Sequence, residues 1–158
     1  MTFTAPFKAA WARSIKDVRT LARIELTDRS PLFGSLPATR TINLASDLLI
    51  TPDSVTWENA LTGGWIRDRV PYGATDAFRP STGSLTLVNR RLSFQPDGER
   101  IANLLHQYRW KGAKVSIWIW LMDLSSFSDA GRVVKDFIID GIEPSETEIT
   151  LSLVQRKD

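Results

Sequence analysis

The stretch Lys114–Met122 constrains the fold most, because its sequence, KVSIWIWLM, is the most apolar run in the chain. It has the length of a β-strand and is too short to span a membrane as a helix. Successive side chains of a strand point to opposite faces. One face here is aliphatic (Val115, Ile117, Ile119 and Leu121), and the other carries Ser116, Trp118, Trp120 and Met122. This pattern predicts a strand that is covered on both sides.

Two arrangements would cover the tryptophan face of this strand. Either the strand lies centrally between two layers of its own domain, or its tryptophan face packs on another subunit, because Trp is enriched at interface anchors. Six tryptophans among 158 residues indicate large apolar surfaces to bury, within the domain or between copies. The second arrangement makes the following residues candidates for a subunit interface: Trp118, Trp120, Met122, Trp65, Tyr72 and Phe78.

Composition is that of one ordinary globular domain, with 42% hydrophobic and 24% charged residues. A net charge of +2 is too small an excess to indicate nucleic-acid binding. The chain has no cysteine, which excludes disulfides and thiol chemistry, and His106 is its only histidine. The N-terminus lacks the apolar region of a signal peptide, so we expect a protein made in the cytoplasm, without a membrane span.

Helical spacing of apolar residues predicts two helices. The first is predicted by a stripe over Phe7–Val18, with Thr4 as its cap and Pro6 in its first turn. The second is predicted over residues 97–109, with Asp97 as its cap, directly before the central strand. The pair Lys111-Gly112 turns the chain from this helix into that strand.

Alternation of apolar and polar residues predicts further strands. They are Ala22–Thr27, Thr39–Leu44, Ser54–Glu58, Ser84–Asn89, Arg91–Phe94, Arg132–Gly141 and Glu148–Val154. The segments 84–89 and 91–94 are predicted to pair, and the central strand and the last two strands form an antiparallel meander. The predicted fold class is mainly β (α+β): an antiparallel β-sandwich or barrel with two α-helices, one N-terminal and one before the central Trp-rich strand.

Residues 59–83 show little periodicity and are rich in glycine and proline. A loop this long in a compact domain is often functional or an interaction arm. The alternative is that one or two short strands lie within it, around Trp65–Val70. The chain is thus predicted to be a single β domain, 1–158, with a long irregular arm or loop at about 59–83.

No pattern in the sequence indicates catalysis, and we predict a protein that is not an enzyme. His106 lies off the centre of its helical stripe, which favours a solvated or half-packed side chain. Asp136 and Asp140 share a strand face, but a hydrolytic carboxylate pair needs a partner across a cleft. Gly63-Gly64 is not followed by the Lys-Ser/Thr of a phosphate-binding loop.

Nothing in the sequence indicates a metal or a cofactor either. The acidic residues of the 123–131 loop match no calcium-loop spacing. Two basic pairs, Arg67/Arg69 and Arg90/Arg91, lack the broad basic surface that sequence-specific nucleic-acid binding requires.

The order of motifs in the chain resembles modules of bacteriophage tail-tip and baseplate proteins, of the distal-tail or hub type. It is carried by these segments: ARIELTD (22–28), SLTL (84–87), YRWKGAKVSIW (108–118), FIIDGI (137–142) and TEITLSL (147–153). The resemblance covers most of the chain in order and is poorest over residues 32–83.

This resemblance implies a structural role. Family members are β-rich domains that assemble as rings around the tail axis and join the tail tube to the hub or fibres. The implied partners are further copies in a ring of three or six, and other tail proteins; the implied location is the virion tail. No catalytic residues are carried over.

A different class of function remains open at this point. Exposed tryptophans such as Trp65 can stack on sugars, so a monomeric carbohydrate-binding β module is the alternative to the tail-tip ring.

Overall fold

The computed structural model describes residues 3–12, 18–29, 36–47, 49–50, 54–67, 81–92, 99–121, 124–132 and 136–155. Its helices are α1 (Ala5–Trp11) and α2 (Ile101–Gln107), and a short 3-10 turn spans Phe127–Asp129. Its strands are β1 (Val18–Asp28), β2 (Thr39–Ala45), β3 (Leu49–Ile50), β4 (Thr56–Asn59), β5 (Leu61–Arg67), β6 (Thr82–Val88), β7 (Tyr108–Leu121), β8 (Gly131–Arg132), β9 (Phe137–Pro144) and β10 (Glu148–Gln155). The fold is therefore mainly β with two helices in the predicted positions.

The strands pair in the order β3-β4-β2-β1-β7-β9-β10-β6-β5, and β8 pairs with β7. The predicted meander is confirmed, because β7, β9 and β10 are consecutive antiparallel neighbours. One pair departs from the antiparallel prediction: β4 runs parallel to β2, with Glu58 opposite Leu44 and Asn59 opposite Ala45.

The inner face of the sheet surrounds the main core. Its buried residues are Ala22, Ile24, Leu26, Ile42, Leu44, Ala60, Leu61, Leu85, Leu87, Leu92, Ile101, Leu104, Trp110, Ala113, Val115, Ile117, Phe137, Ile139, Ile149, Leu151 and Leu153. Alternation explains how β6 and β10 contribute, since every second residue is buried from Gly83 to Leu87 and from Ile149 to Leu153. Residues from β2 and from β5, near opposite ends of the strand order, share this core, so the sheet curls around it as in a barrel.

The central strand is long and bent. Its pairing with β1 shifts register, so that Glu25 lies opposite Lys114 but Thr27 lies opposite Arg109. Within the resulting bulge, Gly112 has a φ of +83°, a conformation that favours glycine. The indole N–H of the buried Trp110 donates a hydrogen bond of 3.0 Å to the carbonyl oxygen of Leu104 in α2. The predicted turn at Lys111-Gly112 is thus a bulge inside the strand, anchored to the helix.

The N-terminal helix is shorter than predicted. Thr4 caps it, accepting a hydrogen bond of 3.3 Å from the backbone N–H of Phe7, and Pro6 lies in its first turn, as predicted. The extension to Val18 is wrong, because Val18 is the first residue of β1 and pairs with Leu121. Strand pairing of this β-branched residue overrides its fit to the helical stripe.

The predicted pairing of segments 84–89 and 91–94 is also wrong. β6 instead pairs with β5 and β10, and Arg91 forms an isolated bridge with Arg100. Leu92 is nevertheless buried in the main core, so its apolar character is explained by burial and not by the predicted pair. Arg100 is the N-cap residue of α2, and the predicted cap, Asp97, lies outside the described residues.

Part of the predicted arm is strand. β5 occupies Leu61–Arg67, which agrees with the alternative of a short strand hidden near Trp65, and β6 begins at Thr82. Residues 68–80 of the arm lie outside the described residues.

Candidate assembly surface

A second group of apolar side chains, here called the aromatic cluster, covers the outer face of β1 and β7. Its buried residues are Phe7, Ala10, Leu21, Ala45, Trp57, Trp118, Trp120, Leu121, Leu124 and Ala130. Phe3, Val55, Ile119 and Phe127 are partly buried against it. Helix α1 and the segment 124–130 provide the cover, so side chains from both faces of the end of β7 join one cluster. Ile119 and Leu121 therefore do not continue the core face of Val115 and Ile117 as predicted.

Three aromatic rings of this cluster surround the guanidinium of Arg23. Trp57, Trp118 and Phe127 have ring centroids 5.2–5.9 Å apart. The guanidinium carbon of Arg23 lies 5.4–5.5 Å from each centroid, within the range of cation–π attraction. The Nε–H of Arg23 also donates a hydrogen bond of 2.8 Å to the Oδ1 of Asn43. Arg23 thus ties β1 and β2 to the rings that cover them.

Helix α1 packs on the sheet through stacked aromatic rings, two of which lie against Gly131. The rings of Phe3 and Phe7 stack at 4.6 Å between centroids, and Trp11 continues the stack at 6.0 Å from Phe7. A Cβ atom at Gly131 would lie 2.7 Å from two ring atoms of Phe7 and 2.9 Å from one of Phe3. Glycine at 131 therefore allows the helix to lie flat on the sheet.

The two tryptophans of the central strand are covered by their own chain. Trp118 is 9% exposed and Trp120 is 1% exposed. This burial agrees with the first arrangement, a central strand covered on both faces within the domain. Contact with another subunit would require α1 or the 124–130 segment to move, and the interface role of these two residues stays a prediction.

The aromatic cluster also holds two buried donors. Within the described part of the chain, the indole N–H groups of Trp57 and Trp120 have no hydrogen-bond acceptor. Leaving a buried donor unpaired costs about 1–3 kcal/mol. The indole N–H of Trp110 in the main core, by contrast, has an acceptor.

For the other predicted interface residues, the structure describes only the backbone of Trp65. The backbone of Trp65 lies in β5, opposite Ser84 of β6. The side chain of Trp65 and the whole of Met122, Tyr72 and Phe78 lie outside the described residues, so their interface role stays a prediction.

Sequence reasoning missed the exposed apolar residues. Trp11 is 45% exposed, Val18 is 41% exposed and Leu36 is 92% exposed. Leu36 is followed by Pro37 and precedes β2, a position that no periodic pattern covers. In the sequence, the exposure of Leu36 is indicated only by its place next to a proline, just before a predicted strand.

The titratable groups singled out in the sequence lie apart from one another. His106 is exposed in the last turn of α2, as predicted. Asp136 accepts a hydrogen bond of 3.4 Å from Ser116 and lies 3.6 Å from the Nζ of Lys114, while Asp140 is exposed on β9. Among the residues that the structure describes, no group of three acidic or histidine side chains could hold a metal ion. No helix in the same residues is long and apolar enough to cross a membrane.

No protein-family model matches the chain, and neither does any curated protein sequence. A solved structure with a similar fold is a chain from the virion of a native gene transfer agent (GTA) particle, with a TM-score of 0.54 and 16% sequence identity. The likeness covers 96% of this chain, and this chain spans 44% of the length of that one. At this level of identity the likeness is one of fold.

Proposed function

We propose that this chain is a structural virion protein of a phage tail tip or baseplate, which forms a ring that joins the tail tube to the hub or fibres. The observation that carries the proposal is the fold likeness to a virion chain over 96% of the sequence. The independent resemblance of segments 22–28, 84–87, 108–118, 137–142 and 147–153 to tail-tip modules supports the same class of protein.

The surface of the molecule supports a role in assembly. Leu36, Trp11 and Val18 are large apolar residues at least 41% exposed. Exposed apolar side chains of this size are suited to contacts with other proteins. Under the proposal, further copies of this chain and neighbouring tail proteins cover them, in the tail of the virion.

The proposal is tested by measuring the chain in purified virions of the phage or phage-like particle that encodes it. Quantitative mass spectrometry of washed particles should find it at the copy number of one small ring, far below that of the repeating tube subunit. Copy number relative to the other tip proteins would then separate a distal-tail ring from a hub. Absence from intact particles, with the chain present in the lysate, would overturn the proposal.

The carbohydrate-binding alternative predicts a different result. A chain of that type stays monomeric and changes its tryptophan fluorescence when a glycan is added. Its suggested platform, the side chain of Trp65, lies outside the described residues, so no specific observation favours it.

A further inference from the structure

The strand order leaves β5 open along one edge. On one side β5 pairs with β6, from Gly63 opposite Thr86 to Arg67 opposite Thr82. On its other side no strand of the described chain pairs with it. Thr62, Gly63 and Gly64 are exposed there, the register with β6 shifts between Leu61 and Gly63, and Arg67 is the one charged residue of the segment. We call Thr62–Arg67 the β5 edge.

The strands that the structure describes leave a second edge open at the start of β2. The backbone N–H of Asp28 donates a hydrogen bond of 2.9 Å to the carbonyl oxygen of Ala38, so β1 occupies one side of this segment. On the other side, β4 pairs with Leu44 and Ala45, and no strand of the described residues pairs with the segment itself. We call Leu36–Thr41 the β2 edge. It carries Leu36, whose side chain is 92% exposed.

Open edges of this kind are templates for pairing with another chain. Soluble proteins usually protect them with charged side chains, proline or bulges. Glycine inside a strand often marks a place where another backbone approaches closely, and the β5 edge carries Gly63-Gly64. On the β2 edge, Pro37 has no N–H, which limits continuous pairing to the residues after it.

We propose that the β5 edge of one copy pairs with the β2 edge of the next, so that the sheet continues between subunits. The inference rests on the proposed ring and names the contact that would build it. The two edges differ, so the contact is head-to-tail, and repeated head-to-tail contacts at a fixed angle close into a ring. Main-chain hydrogen bonds supply affinity, as in other cases of strand addition, and Leu36 supplies an apolar anchor.

Two lysine substitutions test the pairing, one on each edge. Gly63→Lys is sterically tolerated, because a Cβ at Gly63 meets only Thr86, at 3.9 Å, and its φ is not positive. Thr41→Lys changes an exposed residue opposite Glu25, so the new charge gains a cross-strand partner within the fold. Ser152→Lys is the matched control, since it adds the same charge at an exposed position of β10, which has a neighbour on both sides.

Sedimentation velocity of the separate and mixed variants distinguishes the possible contacts. Gly63→Lys alone and Thr41→Lys alone should each be monomeric, with the circular dichroism spectrum of the wild type, whereas Ser152→Lys should assemble normally. Mixing the two edge variants should give a dimer that grows no further, because each retains the one edge that the other has lost.

Other outcomes overturn the pairing. If Gly63→Lys or Thr41→Lys forms the wild-type ring, the contact lies elsewhere, while the proposed ring function stands. Dimers of Thr41→Lys alone would mean that β5 pairs with β5, which also contradicts the head-to-tail contact. A wild-type chain that stays monomeric at every concentration tested overturns both the pairing and the ring.

Leu36→Ser provides a second test that does not involve strand backbone. Leu36 is almost fully exposed, so its replacement leaves the folded monomer unchanged. Loss of the anchor should raise the dissociation constant of the assembly by about 10- to 100-fold. An unchanged constant would remove Leu36 from the contact and contradict the β2 edge as its site.

Discussion

The main core and the aromatic cluster lie on opposite faces of β1 and of most of β7, and they are built differently. Among the described residues, the main core has 21 buried side chains, of which only Trp110 and Phe137 are aromatic, and most of the 21 come from strands throughout the sheet. Within the same residues, the aromatic cluster has 10 buried side chains, four of them aromatic, and part of its cover is the seven-residue helix α1. A helix this short is not stable alone, so α1 depends on its contact with the sheet.

This difference implies that the main core stabilises the whole fold, whereas the aromatic cluster stabilises the segments that cover β1 and β7. Residues of the main core connect strands that are distant in sequence, so damage there should weaken the whole molecule. Damage to the aromatic cluster should first release α1 and the 124–130 segment, leaving the sheet intact. Four substitutions test this difference between the two regions, and they are given in order of decreasing effect.

Phe137→Ala should have the largest effect. Phe137 is fully buried in the main core, and removing its ring leaves a cavity among residues of several strands. We expect a loss of about 3–5 kcal/mol in the free energy of unfolding. Urea unfolding followed by circular dichroism measures it. A loss below about 1 kcal/mol would mean that the main core does not hold the sheet together.

Gly131→Ala should have a smaller and more local effect. Its Cβ would lie 2.7 Å from the Phe7 ring, so α1 must shift or detach. We expect a cost of about 1–3 kcal/mol, seen by hydrogen exchange as loss of protection in α1 with β6 and β10 unchanged. Gly141→Ala is the control, because its Cβ would meet Ser152 at an ordinary 3.4 Å. Equal loss of protection in every strand would contradict a separable cover.

Arg23→Met should cost about 1–2 kcal/mol. The substitution keeps an unbranched side chain but removes the charge held among Trp57, Trp118 and Phe127, and the hydrogen bond to Asn43. Thermal unfolding measures the loss. Arg23→Lys, which keeps the charge but not the planar group, should recover only part of it. Full stability of the Met variant would show that the rings do not depend on the cation.

Lys114→Met should have the smallest effect, below about 0.5 kcal/mol. The Lys114–Asp136 ion pair is 3.6 Å long, and its side chains are 32% and 36% exposed, so solvent screens it. The same unfolding assay compares it with Arg23→Met. A larger loss for Lys114 than for Arg23 would reverse the expected ranking of exposed and aromatic-lined cations.

The sequence alone predicted the strands that have one buried and one exposed face, because this alternation does not depend on which strands are their neighbours. Alternation in β6 and β10 follows directly from one buried and one exposed face, so Leu85 and Leu151 were identifiable as core residues. The covered central strand was also predictable, because Trp118 and Trp120 on the second face required a cover. Thr4 and Pro6 gave the correct start of α1 through local capping chemistry.

Long-range contacts account for what could not be predicted. Val18 fits a helical stripe but pairs with Leu121, which is far away in sequence. Leu92 is apolar because α2 and the strands bury it, and local pattern suggested a hairpin instead. The site of Arg23 needs Trp57, Trp118 and Phe127 from three separate segments, and no spacing in the sequence connects them. The open edges of β2 and β5 likewise can be identified only from the strand order, which the sequence does not give.

The most direct test of the proposed ring is the solution mass of the purified chain, measured by multi-angle light scattering over a range of concentrations. Negative-stain imaging of any large species gives its shape. A closed oligomer with a central hole, of three or six copies, is the predicted result. A monomer of 17.8 kDa at every concentration would contradict the self-assembling ring.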